Sequence, residues 1–268
     1  MPEQSQPRTP LPASLAIERD GELLIVRLCR PAKRNALNDP TILGLEEVFT
    51  TLPAEIKAVV LEGEGEHFSA GLDLAELADY DAVGGIAHSS MWHRVFEKIQ
   101  FGRVPVVAAL KGAVIGGGLE LACAAHIRVA ERSTYYALPE GQRGLFVGGG
   151  GSVRVPRLIG VARMMDMMLT GRTYDSEEGY AIGLAQYLVA DGEGAAKARD
   201  LARRISGNAP VSNLAVIHAL PRIAEADPAT GYMTEALMAA IAQSDKDAKG
   251  RMREFLEKRG LKVVAPKS

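Results

Sequence analysis

The chain has 268 residues, 47% of them apolar, with 31 basic against 33 acidic side chains and a net charge of −2. That length suits one large domain or one domain with a small appendage, and the balanced charge gives no whole-chain basic field of the kind nucleic acid or an anionic membrane attracts. Two cysteines, Cys29 and Cys123, fit neither a disulfide framework nor a paired metal site and read as buried thiols of a reducing compartment.

No run approaches the roughly 20 apolar residues of a membrane span. The opening MPEQSQPRTP lacks the apolar stretch of a signal peptide, so a cytoplasmic protein is expected. Residues 1–12, polar and proline-rich, are expected to form a loosely held tail. LAIER (15–19) and LLIVRLC (23–29) predict two strands around a tight turn at Asp20-Gly21. Asn38-Asp39-Pro40 opens a helix, with Pro40 in the first turn, where its missing N–H costs nothing. Ile42, Leu43, Leu45, Val48 and Phe49 supply that helix with apolar residues at three- and four-residue spacing. AVVLEG (58–63), VPVVAALKG (104–112) and HIRVAE (126–131) read as buried strands, and 86–100 and 160–170 as helices. Strands alternating with helices make an α/β fold with parallel pairing. From about residue 195 the pattern is helical only. The expected organisation is therefore a tail over 1–12, an α/β core over 13–195 and a helical region over 196–268.

Three segments carry chemistry. In KGAVIGGGLELACAAHIRVA (111–130) a strand runs into Gly116-Gly117-Gly118 and then into a helix expected from near Leu119. Consecutive glycines let a backbone approach a ligand closely, and a helix start aims unpaired N–H groups at the same place. Such a turn suits a developing oxyanion, although tight strand–helix packing would use the same residues. Glu120 lies among apolar neighbours in LELACAA, and a glutamate is rarely buried without a partner or a task. An acid in a first helical turn also complements the helix dipole, so Glu120 alone decides nothing. Glu140 follows Pro139 and precedes a glycine-rich loop. In EHFSAGLDL (66–74), Ala70-Gly71-Leu72 forms a second small-residue turn, with a helix expected from about Asp73.

Taken together, GEHFSAGLDL, ALKGAVIGGGLELA and ALPE with GGGG beyond it resemble the crotonase (enoyl-CoA hydratase/isomerase) superfamily in order and spacing. RPAKRNALN (30–38) resembles its CoA-binding loop and FLEKR (255–259) its C-terminal signature, so the resemblance spans roughly residues 13–260. It implies a spiral of ββα units followed by a helical region that builds a trimer, often paired into a hexamer. It also implies an acyl-CoA thioester as substrate, with no metal or redox cofactor. The backbone N–H groups at Leu72 and Gly117 would form the oxyanion hole. Lys33, Arg34 and Ala36 would lie along the pantetheine and phosphates, Ala70 near the adenine, Leu72, Asp73 and Leu74 in the same CoA-lining segment, and Lys258 near the phosphates.

Hydratases of this superfamily have glutamate at the positions of both Glu120 and Glu140. By analogy Glu140 handles the α-carbon proton and Glu120 orients and activates water. A Δ3,Δ2-isomerase would need Glu140 alone. The dehalogenase branch has an aspartate where Gly148 stands, which removes its nucleophile. Trp92-His93 resembles a Trp-His pair of that branch, yet core and surface positions of an amphipathic helix explain both residues and are preferred. His126 stands where an aspartate is common. The loop GQRGLFVGGGG (141–151) resembles that of methylthioacryloyl-CoA hydratases, some of which also hydrolyse the thioester. An RNA-binding homologue is a further class, which a pI near 6.2 and the lack of a long Lys/Arg run oppose. A purely structural trimer is opposed by the two glutamates.

Overall fold

The computed structural model describes residues 10–77 and 80–257. Of the expected tail, residues 10–12 are described: Leu11 packs against the core and the Pro12 carbonyl accepts from Leu15 N.

Strands β1 (Leu15–Asp20) and β2 (Leu23–Leu28) form the expected antiparallel hairpin, with Asp20 opposite Leu23. That register moves the turn on by one residue. Gly21 and Glu22 are the loop pair, and Gly21 takes the left-handed φ of +61° that a residue without Cβ adopts freely. Helix α1 (Asp39–Thr50) is capped by Asn38, whose Oδ1 accepts from Thr41 N at 3.3 Å. It buries Ile42, Leu45, Val48 and Phe49 and leaves Leu43 exposed, because residues three and four apart share a face.

Strand β3 (Ala58–Gly63) has the predicted bounds. Where a helix was expected from Asp73, there is a 3-10 turn over Leu74–Leu77. Asp73 opens that short turn, its carbonyl accepting from Glu76 N, while its N–H donates to Leu37 O and its carboxylate accepts from Arg30. Helix α2 (Ala82–Gln100) starts ahead of the expected residue 86, capped by Asp81. Then come β4 (Val106–Leu110), β5 (Ala113–Ile115), α3 (Gly117–Ala124), β6 (Ile127–Glu131) and β7 (Tyr135–Ala137). They are followed by α4 (Gly151–Ile159), α5 (Val161–Thr170), β8 (Tyr174–Asp175), α6 (Ser176–Ile182), β9 (Tyr187–Val189) and α7 (Gly194–Ser206).

The main sheet runs β1-β2-β3-β4-β6-β9, parallel except for β1, and β5-β7-β8 forms a smaller one. Both faces of the main sheet are covered, which is why its strands read as continuous apolar runs. Successive side chains sort to opposite faces. Leu24, Val26, Val59, Leu61, Val106 and Ala108 join the large core with α1, α2 and α3. Ile25, Val60 and Val107 meet Ala198, Leu201 and Ala202 of α7 on the other face. Each such buried Val, Leu or Ile stabilises the fold by about 1.5–3 kcal/mol. Cys123 is buried in the large core, whereas Cys29 is only half-buried.

The chain divides into two compact units, the first ending at Ser206 and the second beginning at Gly207. Helix α7, which the sequence placed with the helical region from 196, packs on the sheet of the first unit. The second unit contains α8 (Pro210–His218), α9 (Leu220–Glu225), α10 (Pro228–Ser244) and α11 (Lys246–Leu256). Tyr232, Met233, Leu237 and Ile241 of α10 are exposed. No described helix is long and apolar enough to cross a membrane.

Candidate active site

Strand β5 ends at Ile115, the chain turns through Gly116 at φ +51°, and α3 begins at Gly117 rather than near Leu119. The turn favours glycine there, and a Cβ on Gly116 would fall 2.5 Å from Glu140 Oε1 and push that carboxyl aside. A Cβ on Gly117 would stand 2.9 Å from Trp92 Cζ3 and 3.3 Å from Leu72 N. Gly117 and the Leu72 amide therefore share one rim. Leu37 pairs in parallel with Leu72, and its bonds go to Gly71 O and from Asp73 N. Parallel pairing uses the groups on either side, so the Leu72 N–H points away from Leu37. Among the described residues, neither Leu72 N nor Gly117 N donates to a backbone carbonyl.

Glu120 sits in the first turn of α3 and is 3% exposed. Its Oε1 accepts from Gly149 N at 2.8 Å and Gly151 N at 2.7 Å. The glycine run that closes the sequence motif is thus the cradle of the first glutamate. Arg154, also buried, braces that run by donating from Nη1 to Gly149 O at 2.9 Å and from Nε to Gln100 Oε1 at 2.6 Å. Burial pushes the Glu120 carboxyl up to about 7, against the pull of the two glycine N–H groups and with a further push from the Glu140 charge. Glu140 is raised as well, by burial, with Arg143 opposing. Its Oε2 is buried and has no hydrogen-bond partner among the described residues. Two carboxyls that feel each other in a dry site resist ionising together, which provides an acid and a base side by side.

Both glutamates, Leu72 and Gly117 line one cavity of about 290 Å³. Ala70 and Leu74 line it too. The 30–38 loop is pinned beside it. Arg30 donates to Asp73 at 2.9 Å and to Ala36 O at 2.6 Å, Ala70 N donates to Arg34 O, and buried Asn35 donates to Glu64 O and His67 O. The Arg30 guanidinium holds the Asp73 carboxyl below its usual range, so that carboxylate serves the loop. Lys33 and Arg34 are exposed. Lys258 lies outside the described residues. The Trp92-His93 pair divides: Trp92 is buried and lines the cavity, while His93 is exposed. His126 is structural, its Nδ1 accepting from Val106 N and its Nε2 meeting Gln100 O.

Sequence reasoning missed His88, Ser89 and Arg143, which also line the cavity. His88 stands four residues before Trp92 on α2, a spacing that would have placed both on one face. Nothing in the sequence pointed to Arg143 beyond its nearness to Glu140.

Comparison with known proteins matches residues 18–263 to the family described as enoyl-CoA hydratase/isomerase. The short-chain-enoyl-CoA hydratase of Clostridium acetobutylicum is 30% identical over 251 residues, covering 92% of this chain and 96% of that protein. A crystal structure from Rhodopseudomonas palustris CGA009, of a protein provisionally called an enoyl-CoA hydratase, is 61% identical with a TM-score of 0.90, covering 92% of this chain and 95% of that one. The enoyl-CoA hydratase structure from Bacillus anthracis is 29% identical with a TM-score of 0.86, covering 92% and 97%. The fold, the paired glutamates and these matches agree: the chain belongs to the enoyl-CoA hydratase/isomerase family.

Proposed function

We propose that this chain hydrates 2-enoyl-CoA thioesters. The observation that carries the reading is the meeting, in one cavity, of two buried carboxyls with raised pKa values and two backbone N–H groups free to bind an oxyanion. The thioester oxygen accepts from Leu72 N–H and Gly117 N–H, which draws electrons from the 2,3-double bond and makes C3 electrophilic. One such donor is worth about 10²–10³ in rate. Glu120, held at Oε1 by the two glycines, takes a proton from water as its oxygen bonds to C3. Glu140, protonated, delivers its proton to C2. The proton gained by one carboxyl and that lost by the other balance, so the site resets by one transfer between them.

In this reading CoA lies along Lys33, Arg34, Ala36 and the 70–74 segment, with Lys258 near its phosphates. The exposed apolar residues of α10 support a trimer or a pair of trimers. The finer proposal for the acyl group, 3-methylthioacryloyl-CoA, is supported by the likeness of the 141–151 loop. The test offers crotonyl-CoA, 3-methylthioacryloyl-CoA and a 3-enoyl-CoA to the purified protein and follows the products by mass. Gain of one water on a 2-enoyl thioester is expected. Binding of acetoacetyl-CoA by calorimetry, with no hydration and only 3-to-2 isomerisation, would replace the hydratase reading with the isomerase one.

A further inference from the structure

We propose that His88 selects the acyl chain, its Nδ1 accepting a hydrogen bond from a hydroxyl carried beyond C3 of the 2-enoyl-CoA. The inference rests on the hydratase reading and adds a substrate class to it, a hydroxylated acyl chain in place of 3-methylthioacryloyl, which carries no hydroxyl. Apart from the two glutamates, the polar side chains lining the cavity are His88, Ser89 and Arg143. The Ser89 hydroxyl is already committed to Gly148 O at 2.6 Å. Arg143 is exposed, and its charge bears on Glu140. His88 is different, with a side chain only 8% exposed.

Two groups claim the same nitrogen of His88. Asp39 Oδ1 lies 2.9 Å from Nε2, and the Trp92 indole N–H is aimed at it from 3.2 Å. A ring nitrogen either carries a hydrogen or accepts one, so both bonds cannot form at once. The bond to a carboxylate is charge-assisted and about twice as strong as a neutral one. Tyr80 also steadies the carboxylate, its hydroxyl donating to Asp39 Oδ2 at 3.4 Å. Nε2 therefore carries the hydrogen and gives it to Asp39. In the neutral ring this leaves the lone pair on Nδ1, and Nδ1 has no partner among the described residues. The ring is held by aromatic neighbours, with centroids 5.3 Å from Tyr80 and 5.8 Å from Trp92. A substrate hydroxyl supplies the donor that Nδ1 lacks, while the Trp92 indole N–H is left without the Nε2 acceptor.

Position says where on the chain that donor belongs. The six-membered edge of Trp92 reaches Gly117 at the oxyanion rim, and His88 stands one helical turn back along α2. His88 and Trp92 line the same cavity, which places the proposed hydroxyl beyond the reacting carbons, at C5 or C6. An alkyl chain there offers Nδ1 no donor, and sites built to bond a hydroxyl discriminate against analogues that lack it.

The test measures kcat/KM for hex-2-enoyl-CoA, 5-hydroxyhex-2-enoyl-CoA and 6-hydroxyhex-2-enoyl-CoA on the full chain. The wild type is expected to favour one hydroxylated substrate over the plain one by at least about tenfold. His88→Leu should bring that ratio close to one. His88→Gln, which keeps hydrogen-bonding capacity, should retain part of it. Because each ratio is taken on a single preparation, partial unfolding of a variant cannot mimic the result. A wild-type ratio near one, or the same ratio in His88→Leu, overturns this inference and leaves the hydratase reading standing. Failure to hydrate any of the three, or crotonyl-CoA, overturns both.

Discussion

In Glu120→Gln the side chain keeps its length and the Oε1 that accepts from Gly149 and Gly151, and it loses only the charge. Burial raises the wild-type carboxyl from its ordinary 4.5 to about 7, so the folded protein holds that proton more tightly than the unfolded chain does. The associated stability is fully present below pH 4.5 and is lost as the pH climbs to about 7; above that, wild type carries a buried charge that the variant lacks. At about 1.4 kcal/mol per tenfold, the step from 4.5 to about 7 comes to about 3 kcal/mol. For a unit of this size, about 2–4 °C per kcal/mol makes that about 6–12 °C in Tm. Thermal melts of both proteins at about pH 4.5 and about pH 8.5 should therefore show the variant gaining that much on wild type between the two conditions. In the same preparations kcat on crotonyl-CoA should fall by about 10²–10⁴, the scale for a lost general acid or base. A Tm difference that does not change with pH would refute the buried-charge argument. An unchanged kcat would remove Glu120 from the chemistry.

Glu140→Gln should lower kcat by a similar factor of about 10²–10⁴ with KM nearly unchanged, and the double variant should be far less than multiplicatively worse, because the pair acts on one water; single-turnover assays of all three proteins check this. Gly117→Ala puts a methyl group 2.9 Å from Trp92 and 3.3 Å from Leu72 N, so kcat/KM should drop by about 10²–10³ while the circular dichroism spectrum is kept. Arg154→Met removes the brace on Gly149 O and a positive charge that favours ionised Glu120. The limb of the pH–kcat/KM profile on which activity rises should then move to higher pH, and an unmoved limb would show that Arg154 serves the fold alone.

What could be read along the chain was whatever neighbouring residues decide among themselves. Strand β3 has its predicted bounds because an apolar run between turn residues has few other uses, and α1 starts at its Asn38 cap with Pro40 in the first turn. The two glutamates and the glycine turns were legible for the same reason, through their spacing and the family resemblance it carries. The hairpin turn was misplaced by one residue because register belongs to the strand pair and not to the dipeptide. The helix at Gly117 starts earlier than glycine propensity suggests because the turn is held against Trp92 and Ser69. The partners of Glu120, Gly149 and Gly151, lie 29 and 31 positions away, so the fourfold glycine run showed only as a loop. Periodicity identified α2 as amphipathic without saying what would cover it. Packing against α3 turned Trp92 and His88 toward the cavity and left His93 outside, because a helix face takes its environment from the neighbour the topology brings to it.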